Sequence, residues 1–159
     1  MPVRPPRLVL TVQYAVAAAT LPVAAALRRW ARAALVRDGR VTIRFVGTRE
    51  GRSLNAHYRG KGGATNVLAF VYDDGEPLSG DIVLCAPVLR QEARAQGKSL
   101  ADHCAHLVVH GMLHLQGYRH DTDRAARAME TRESAILRGF RVPDPYLPRT
   151  VPDGAAARP

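Results

Sequence analysis

The segment from His110 to His120 reads His-Gly-Met-Leu-His-Leu-Gln-Gly-Tyr-Arg-His and constrains the fold more than any other part of the chain. His110 and His114 are four residues apart, so a helix places both imidazoles on one face, one turn apart. Gly117 can end that helix in a left-handed turn that presents His120 as a third ligand. Three neutral imidazoles suit Zn²⁺ and leave a fourth position open to water or substrate. The segment therefore predicts one zinc ion at the end of a helix.

The same spacing occurs in the zinc-binding helix of metzincin proteases, His-Glu-x-x-His-x-x-Gly-x-x-His, with one difference. Gly111 stands at the position of the Glu. In the proteases that Glu takes a proton from the zinc-bound water, which glycine cannot do. A metallopeptidase is therefore disfavoured, whereas other hydrolases stay open because zinc alone lowers the pKa of its water to about 7.

Four further polar residues flank the motif. His103 and His106 lie seven and four residues before His110 and extend the same helical stripe. We interpret both as solvent-facing or core-lining, with support of the metal ligands or contact with substrate as the alternatives. Asp121 and Asp123 follow the motif, and helix capping is the favoured interpretation. A carboxylate that orients a metal ligand or acts as a base is the alternative.

Hydrophobic periodicity and turn residues divide the rest of the chain into strands and helices. The pattern predicts strands over 8–14, 41–45, 67–72 and 82–85, and helices from Thr20 (as N-cap) to near Gly39, from Pro87 to Gly97, from Ser99 to Gln116 and from Thr122 to Arg138. Residues 47–64 carry five glycines and four basic residues with little periodicity, which predicts a basic, mobile loop.

These elements predict an α/β fold in a single domain over residues 1–142, with a sheet of about four strands packed with about four helices. Five prolines fall within residues 143–159, which disfavours a helix there and predicts a flexible, extended tail.

Positive charge is concentrated in the first part of the chain. Residues 1–62 hold twelve basic and only two acidic residues. The net charge of all 159 residues is +9, so the positive charge lies in this part of the chain. Such a field fits a polyanionic partner, above all nucleic acid, because Lys and Arg release counterions from phosphates. The alternative is a coding bias, since twenty-one of the twenty-three basic residues are Arg.

The cysteines and the N-terminal segment bear on the compartment. Cys85 and Cys104 stand in no CxxC or zinc-finger spacing, which indicates reduced thiols and a cytoplasmic protein. Residues 8–27 resemble a signal peptide, but polar residues and Pro22 interrupt them, and they also fit a strand followed by a helix. No other apolar run reaches about 18 residues, so no membrane span is predicted.

The histidine motif resembles the signature of the YbeY family of bacterial endoribonucleases and rRNA maturation factors. Further motifs of that family occur in the same order over about residues 8–138: Leu54-Asn55, Tyr58-Arg59-Gly60-Lys61, Thr65-Asn66-Val67-Leu68-x-Phe70, Gly80-Asp81-Ile82 and Met129-Glu130-x-x-Glu133. Two positions depart from the pattern, because Arg119 replaces the usual Asp before the third His and Ala69 replaces the usual Ser or Thr. The loss of that carboxylate puts in doubt any supporting or base role at position 119.

The resemblance implies an α/β domain that binds one Zn²⁺ through His110, His114 and His120. It implies cleavage of single-stranded RNA in rRNA maturation, including 16S rRNA 3′-end processing, and in ribosome quality control, with the ribosome or ribosomal proteins as partners. Arg59 would be the functional arginine beside the metal, since a guanidinium can grip a phosphate with two donors. The alternative is a non-catalytic ribosome assembly factor whose zinc mainly stabilises the fold.

Overall fold

A computed structural model describes residues 4–59 and 65–147, except for the side chains of residues 58 and 59. These residues form nine elements in the order β1 (Leu8–Tyr14), α1 (Ala24–Ala34), β2 (Gly39–Val46), α2 (Thr48–Arg59), β3 (Val67–Asp73), β4 (Leu78–Cys85), α3 (Ala86–Ala95), α4 (Leu100–Leu115) and α5 (Asp123–Arg138). The four strands form one sheet in the order β1-β2-β4-β3. β1, β2 and β4 are parallel, and β3 runs antiparallel to β4.

The main core lies between one face of this sheet and the helices. Alternate residues of β2 point into it, because side chains of a strand alternate between faces, and Val41, Ile43 and Phe45 are buried. α4 is the central helix of this layer, with ten buried residues, and it contacts α1, α3, α5 and β3. A helix that is apolar on nearly all sides has to be surrounded, and this one is. Its position places the histidine-bearing end of α4 beside β3.

The fold class is confirmed as a single α/β domain with a four-stranded sheet. The four predicted strands are present, and the three helices predicted from Pro87, Ser99 and Thr122 begin and end within two residues of the predicted positions. Among the described residues, no helix combines the length and hydropathy that crossing a membrane requires. Cys85 and Cys104 are buried free thiols.

The prediction of a loop over residues 47–64 is wrong for its larger part, because Thr48–Arg59 form α2, a fifth helix. Arg44 of β2 donates to both carboxylate oxygens of Glu50 at 2.8 and 3.0 Å, which ties the first turn of α2 to the sheet. The buried side of α2 includes Gly51 and Asn55, which carry no hydrophobic signal. Residues 60–64 lie outside the described residues.

The first helix is shorter than predicted at both ends. It begins at Ala24 rather than after Thr20, whose hydroxyl instead accepts a hydrogen bond from Arg90 at 2.8 Å. It ends at Ala34 because Leu35 adopts an extended backbone and the next N–H, that of Val36, donates to Gln116 at 2.7 Å. Tertiary contacts thus hold residues on both sides of α1 out of the helix.

Candidate metal centre

The last turn of α4 and the bend after it bring three imidazole rings together. The ring centroids of His110 and His114 are 6.5 Å apart, and those of His120 lie 5.8 and 6.0 Å from them. Gly117 has a φ of +103°, the left-handed conformation expected of the residue that ends the helix. Its N–H donates to the carbonyl of His114 at 3.1 Å, which closes the turn. The bend therefore forms as the sequence predicted and turns the chain towards the helix face.

The space between the rings is small. A cavity of about 30 Å³ is bounded by the three rings together with Gly111, Val67 and Ala69, and this is room for a single ion or water. Tetrahedral coordination with Zn–N bonds of about 2.0–2.1 Å would put the ring centroids about 5 Å apart. The rings thus fit a zinc ion after an inward movement of about half an ångström each.

A second group of donor atoms overlaps the first. One ligand atom each of His106, His110 and Glu133 lies within 4.8 Å of the others, so these three residues could hold a metal. Their direct contacts are hydrogen bonds, at 2.9 Å from His106 Nε2 to Glu133 Oε2 and at 3.2 Å from His110 Nδ1 to Glu133 Oε1. Glu133 therefore also acts on His110 as an acceptor, in the manner of the carboxylates that orient metal-binding histidines.

Glu133 is a buried carboxylate whose negative charge is stabilised by hydrogen bonds from His106 and His110. Burial raises its pKa, but the hydrogen bonds from His106 and His110 outweigh burial and lower the pKa to about 2. An ionised carboxylate only accepts, so His110 donates through Nδ1 and its Nε2 is the nitrogen left for a metal. The sequence analysis named Glu133 within a family motif but gave it no role, although it follows Met129 by four residues and precedes Ile136 by three on the buried face of α5.

The remaining candidates occupy different environments. His103 is a buried core residue that contacts Glu92 Oε1 through Nε2 at 2.8 Å, in line with the core-lining interpretation. His106 instead donates to Glu133 at 2.9 Å, and Glu133 in turn accepts from the predicted ligand His110. Thr122 is the N-cap of α5, with Asp123 in the first turn, where a carboxylate complements the helix dipole. Arg59 is the last residue of α2, and its side chain lies outside the described part of the chain.

Gly111 faces the sheet as well as the cavity. A Cβ built on it would lie 3.1 Å from two side-chain atoms of the fully buried Ile82. The position that carries the catalytic Glu in metzincin proteases is therefore packed against β4. A side chain at this position would require the Ile82 side chain to shift by a few tenths of an ångström.

The model of the family described as Endoribonuclease YbeY matches residues 14–141. The chain belongs to the YbeY family. A relative from Aromatoleum aromaticum named Endoribonuclease YbeY is 55% identical over 143 residues, which cover 88% of this chain and 93% of the relative. A YbeY relative of the same name from Nitrosomonas europaea is 53% identical over 140 residues, covering 88% and 85% of the two chains.

The fold is also similar to that of a solved protein. The solution structure of a Thermotoga maritima protein superposes with a TM-score of 0.57 at 20% identity, covering 83% of this chain and 91% of that one. At this level of identity the likeness concerns the fold alone.

Proposed function

We propose that this chain is a metal-dependent endoribonuclease that cuts single-stranded RNA during rRNA maturation. The observation that carries the proposal is the meeting of three imidazoles around a cavity of about 30 Å³, in a chain whose relatives are named endoribonucleases. The finer assignments proposed are 16S rRNA 3′-end processing, a part in ribosome quality control, the ribosome or its proteins as partners, and a cytoplasmic location. Unpaired RNA suits a small recessed centre because its splayed backbone can enter where a duplex cannot.

The proposed metal is one Zn²⁺ held by His110, His114 and His120, the donor set that neutral imidazoles provide. When bound, Zn²⁺ supplies Lewis acidity and a water of lowered pKa. Glu133 accepts from His110 and so presents the opposite nitrogen of that ring to the cavity. Arg59 is proposed to grip the scissile phosphate, since its guanidinium carries a permanent charge and two parallel donors.

A second candidate is a non-catalytic assembly factor with a stabilising metal. It is favoured by the lack of a carboxylate at position 111 and by Glu133, whose two oxygens are already engaged by His106, His110 and Tyr146. Neither of these positions offers a general base. Zinc that supplies its own activated water removes the need for one, which is why the nuclease is our first choice.

The deciding experiment is cleavage of a labelled single-stranded rRNA fragment by protein of known metal content. His114→Ala should lose both the metal and the cleavage, whereas the same substitution at the exposed His57 of α2 should keep both. Arg59→Glu should keep metal and fold but lose cleavage. Equal cleavage by parent and His114→Ala would point to a contaminating nuclease, and metal binding without any cleavage would favour the assembly factor.

A further inference from the structure

A short segment beyond α5 runs back across the domain. We name residues 143–147 the C-terminal strap; they follow both the predicted domain boundary at 142 and the family match that ends at 141. Asp144 holds the strap, because its Oδ1 accepts from Ser134 Oγ of α5 at 3.0 Å and from the backbone N–H of Tyr146 at 2.9 Å. Arg141, with a φ of +60°, makes the turn that reverses the chain.

Tyr146 of the strap contacts Glu133, the buried carboxylate of α5. The hydroxyl of Tyr146 lies 3.1 and 3.0 Å from the two carboxylate oxygens of Glu133. It also lies 3.2 Å from His106 Nε2, and the two rings meet edge to face with centroids 5.5 Å apart. Burial, and then the charge of Glu133, raises the pKa of Tyr146, so the phenol keeps its proton and donates a hydrogen bond to the carboxylate.

The phenol contacts both oxygens of the carboxylate, and each oxygen also accepts from a different histidine. Oε2 accepts from His106 at 2.9 Å, and Oε1 accepts from His110 at 3.2 Å, the longer of the two contacts. A carboxylate that lost the phenol could rotate towards His106 and release His110. The hydroxyl therefore restrains the carboxylate in the orientation that serves both rings.

The strap also borders the centre directly. A cavity of about 340 Å³ lies between α5 and the strap, and its walls include His110, His120, Glu130 and Tyr146. Two of the proposed metal ligands thus face a space that Tyr146 of the strap borders.

We propose that Tyr146 is a positioning residue of the metal centre, which through Glu133 fixes the ring of His110 with Nε2 towards His114 and His120. The inference rests on the proposed metal assignment of the three histidines. It extends the centre beyond the part of the chain that the family model matches. Partners that orient metal ligands change affinity by about 10- to 100-fold when removed.

The test compares Tyr146→Phe with Leu147→Ala, a change at a neighbouring strap residue that is 64% exposed. Phe keeps the edge-to-face contact with His106 and removes only the hydroxyl. We expect Tyr146→Phe to weaken Zn²⁺ affinity about 10-fold in a chelator competition and to shift the visible absorption bands of the Co²⁺-loaded protein. Leu147→Ala should match the parent in both measurements.

Unchanged affinity and an unchanged Co²⁺ spectrum in Tyr146→Phe would overturn the inference, as would a loss of metal-free thermal stability with no change in the spectrum. If Tyr146→Phe does not fold, Ser134→Ala, which releases Asp144 and loosens the strap, takes its place with the same expected results. A parent protein that binds Zn²⁺ but cleaves no RNA would remove the proposed nuclease and leave this inference standing. Equal metal binding by parent and His114→Ala would overturn both.

Discussion

Two glycines set how closely α4 approaches the sheet. At Gly80 of β4 an added Cβ would lie 2.5 Å from the carbonyl oxygen of Phe70 and 2.9 Å from Leu115 Cδ2. At Gly111 of α4 the added atom would lie 3.1 Å from Ile82. The separation at Gly80 is too short for a methyl group, and the one at Gly111 is tight, so the missing side chains favour the close packing of helix and strand. The close approach places His110 and His114 beside Val67 and Ala69 of β3.

Gly80→Ala should lower the free energy of unfolding by about 3 kcal/mol, at the upper end of the usual cost of overpacking a core. The cost is large because the atom met first is a backbone oxygen of the paired strand, which cannot rotate away. Urea unfolding of metal-free protein measures it. Ser79→Ala, at a half-buried neighbour, is the control and should change stability by less than about 0.5 kcal/mol. Equal stabilities of Gly80→Ala and parent would contradict the packing argument.

The lowered pKa of His103 makes the stability of the metal-free protein depend on pH. Its burial lowers the pKa below 6.5, and the hydrogen bond to Glu92 offsets only part of that effect. Between pH 6.5 and the lower folded-state pKa, the unfolded chain binds a proton that the folded protein does not. The contribution of neutral His103 is therefore present above pH 6.5 and is lost as the pH falls through this window.

Urea unfolding of chelator-treated protein at pH 7.5 and 5.5 measures this loss. We expect His103→Leu, which cannot take up a proton, to show a smaller difference between the two pH values than the parent. Asp38 does not contribute to this difference. The hydrogen bond from Arg4 lowers its pKa to about 2, so it stays ionised at both pH values. The same pH difference in both proteins would show that other groups cause it.

At the scale of elements, the two helices that carry the centre begin at side-chain caps. Ser99 accepts from the N–H of Asp102 at 3.0 Å and opens α4. Thr122 accepts from the N–H of Ala125 at 3.1 Å and opens α5 only two residues after His120. Both caps satisfy N–H groups that the helix itself leaves without a partner. The cap of α5 also fixes where the segment that carries His120 ends.

Thr122→Ala should destabilise the protein by about 1 kcal/mol, the typical value of an N-cap. Thr131→Ala makes the same change at an exposed position inside α5 and should be neutral or slightly stabilising, because Ala is the better helix former. Thermal or urea unfolding of both variants separates the cap from the loss of a hydroxyl. The prediction fails if the two substitutions have the same effect.

At the scale of the whole molecule, the excess of basic residues and the proposed metal centre lie in different parts of the sequence. Twelve of the twenty-three basic residues precede residue 63, and Arg28, Arg29 and Arg32 are exposed on α1. The proposed metal ligands lie at the other end of the sequence, on and after α4. An exposed cluster of arginines of this kind attracts the phosphates of RNA.

Affinity for single-stranded RNA should therefore depend steeply on salt. With about four phosphates neutralised, the association constant falls about 50-fold between 50 and 200 mM salt. Replacing Arg28, Arg29 and Arg32 by Gln should flatten this dependence. The control replaces Arg124, Arg127 and Arg132, which are exposed on α5 among acidic residues and change the net charge equally. Equal slopes for the two triple variants would show that net charge, and not its location, determines binding.

Local sequence determined much of the site. The spacing of His110 and His114, the glycine at 117 and the caps at Ser99 and Thr122 depend on neighbours within about five residues, so helix geometry and backbone sterics suffice to predict them. The four strands followed from local patterns for the same reason: alternation of apolar residues in β2, and runs of strand-forming residues bounded by turn residues in β3 and β4. The local sequence did not predict α2, because the contacts that stabilise it, such as that of Arg44 with Glu50, arise only when it packs on the sheet.

The tertiary structure alone decided what surrounds the three rings. Glu133 lies 23 residues from His110, and Tyr146 lies 40 residues from His106, so no local pattern relates them. They meet because α5 packs beside α4 and the strap turns back over both. The structure adds His106 and Glu133, which together with His110 could also hold a metal. The sequence by itself predicted three histidines around one metal ion. Only the folded chain determined which nitrogen of His110 is turned towards it, since that depends on a carboxylate from another helix and a phenol beyond the last one.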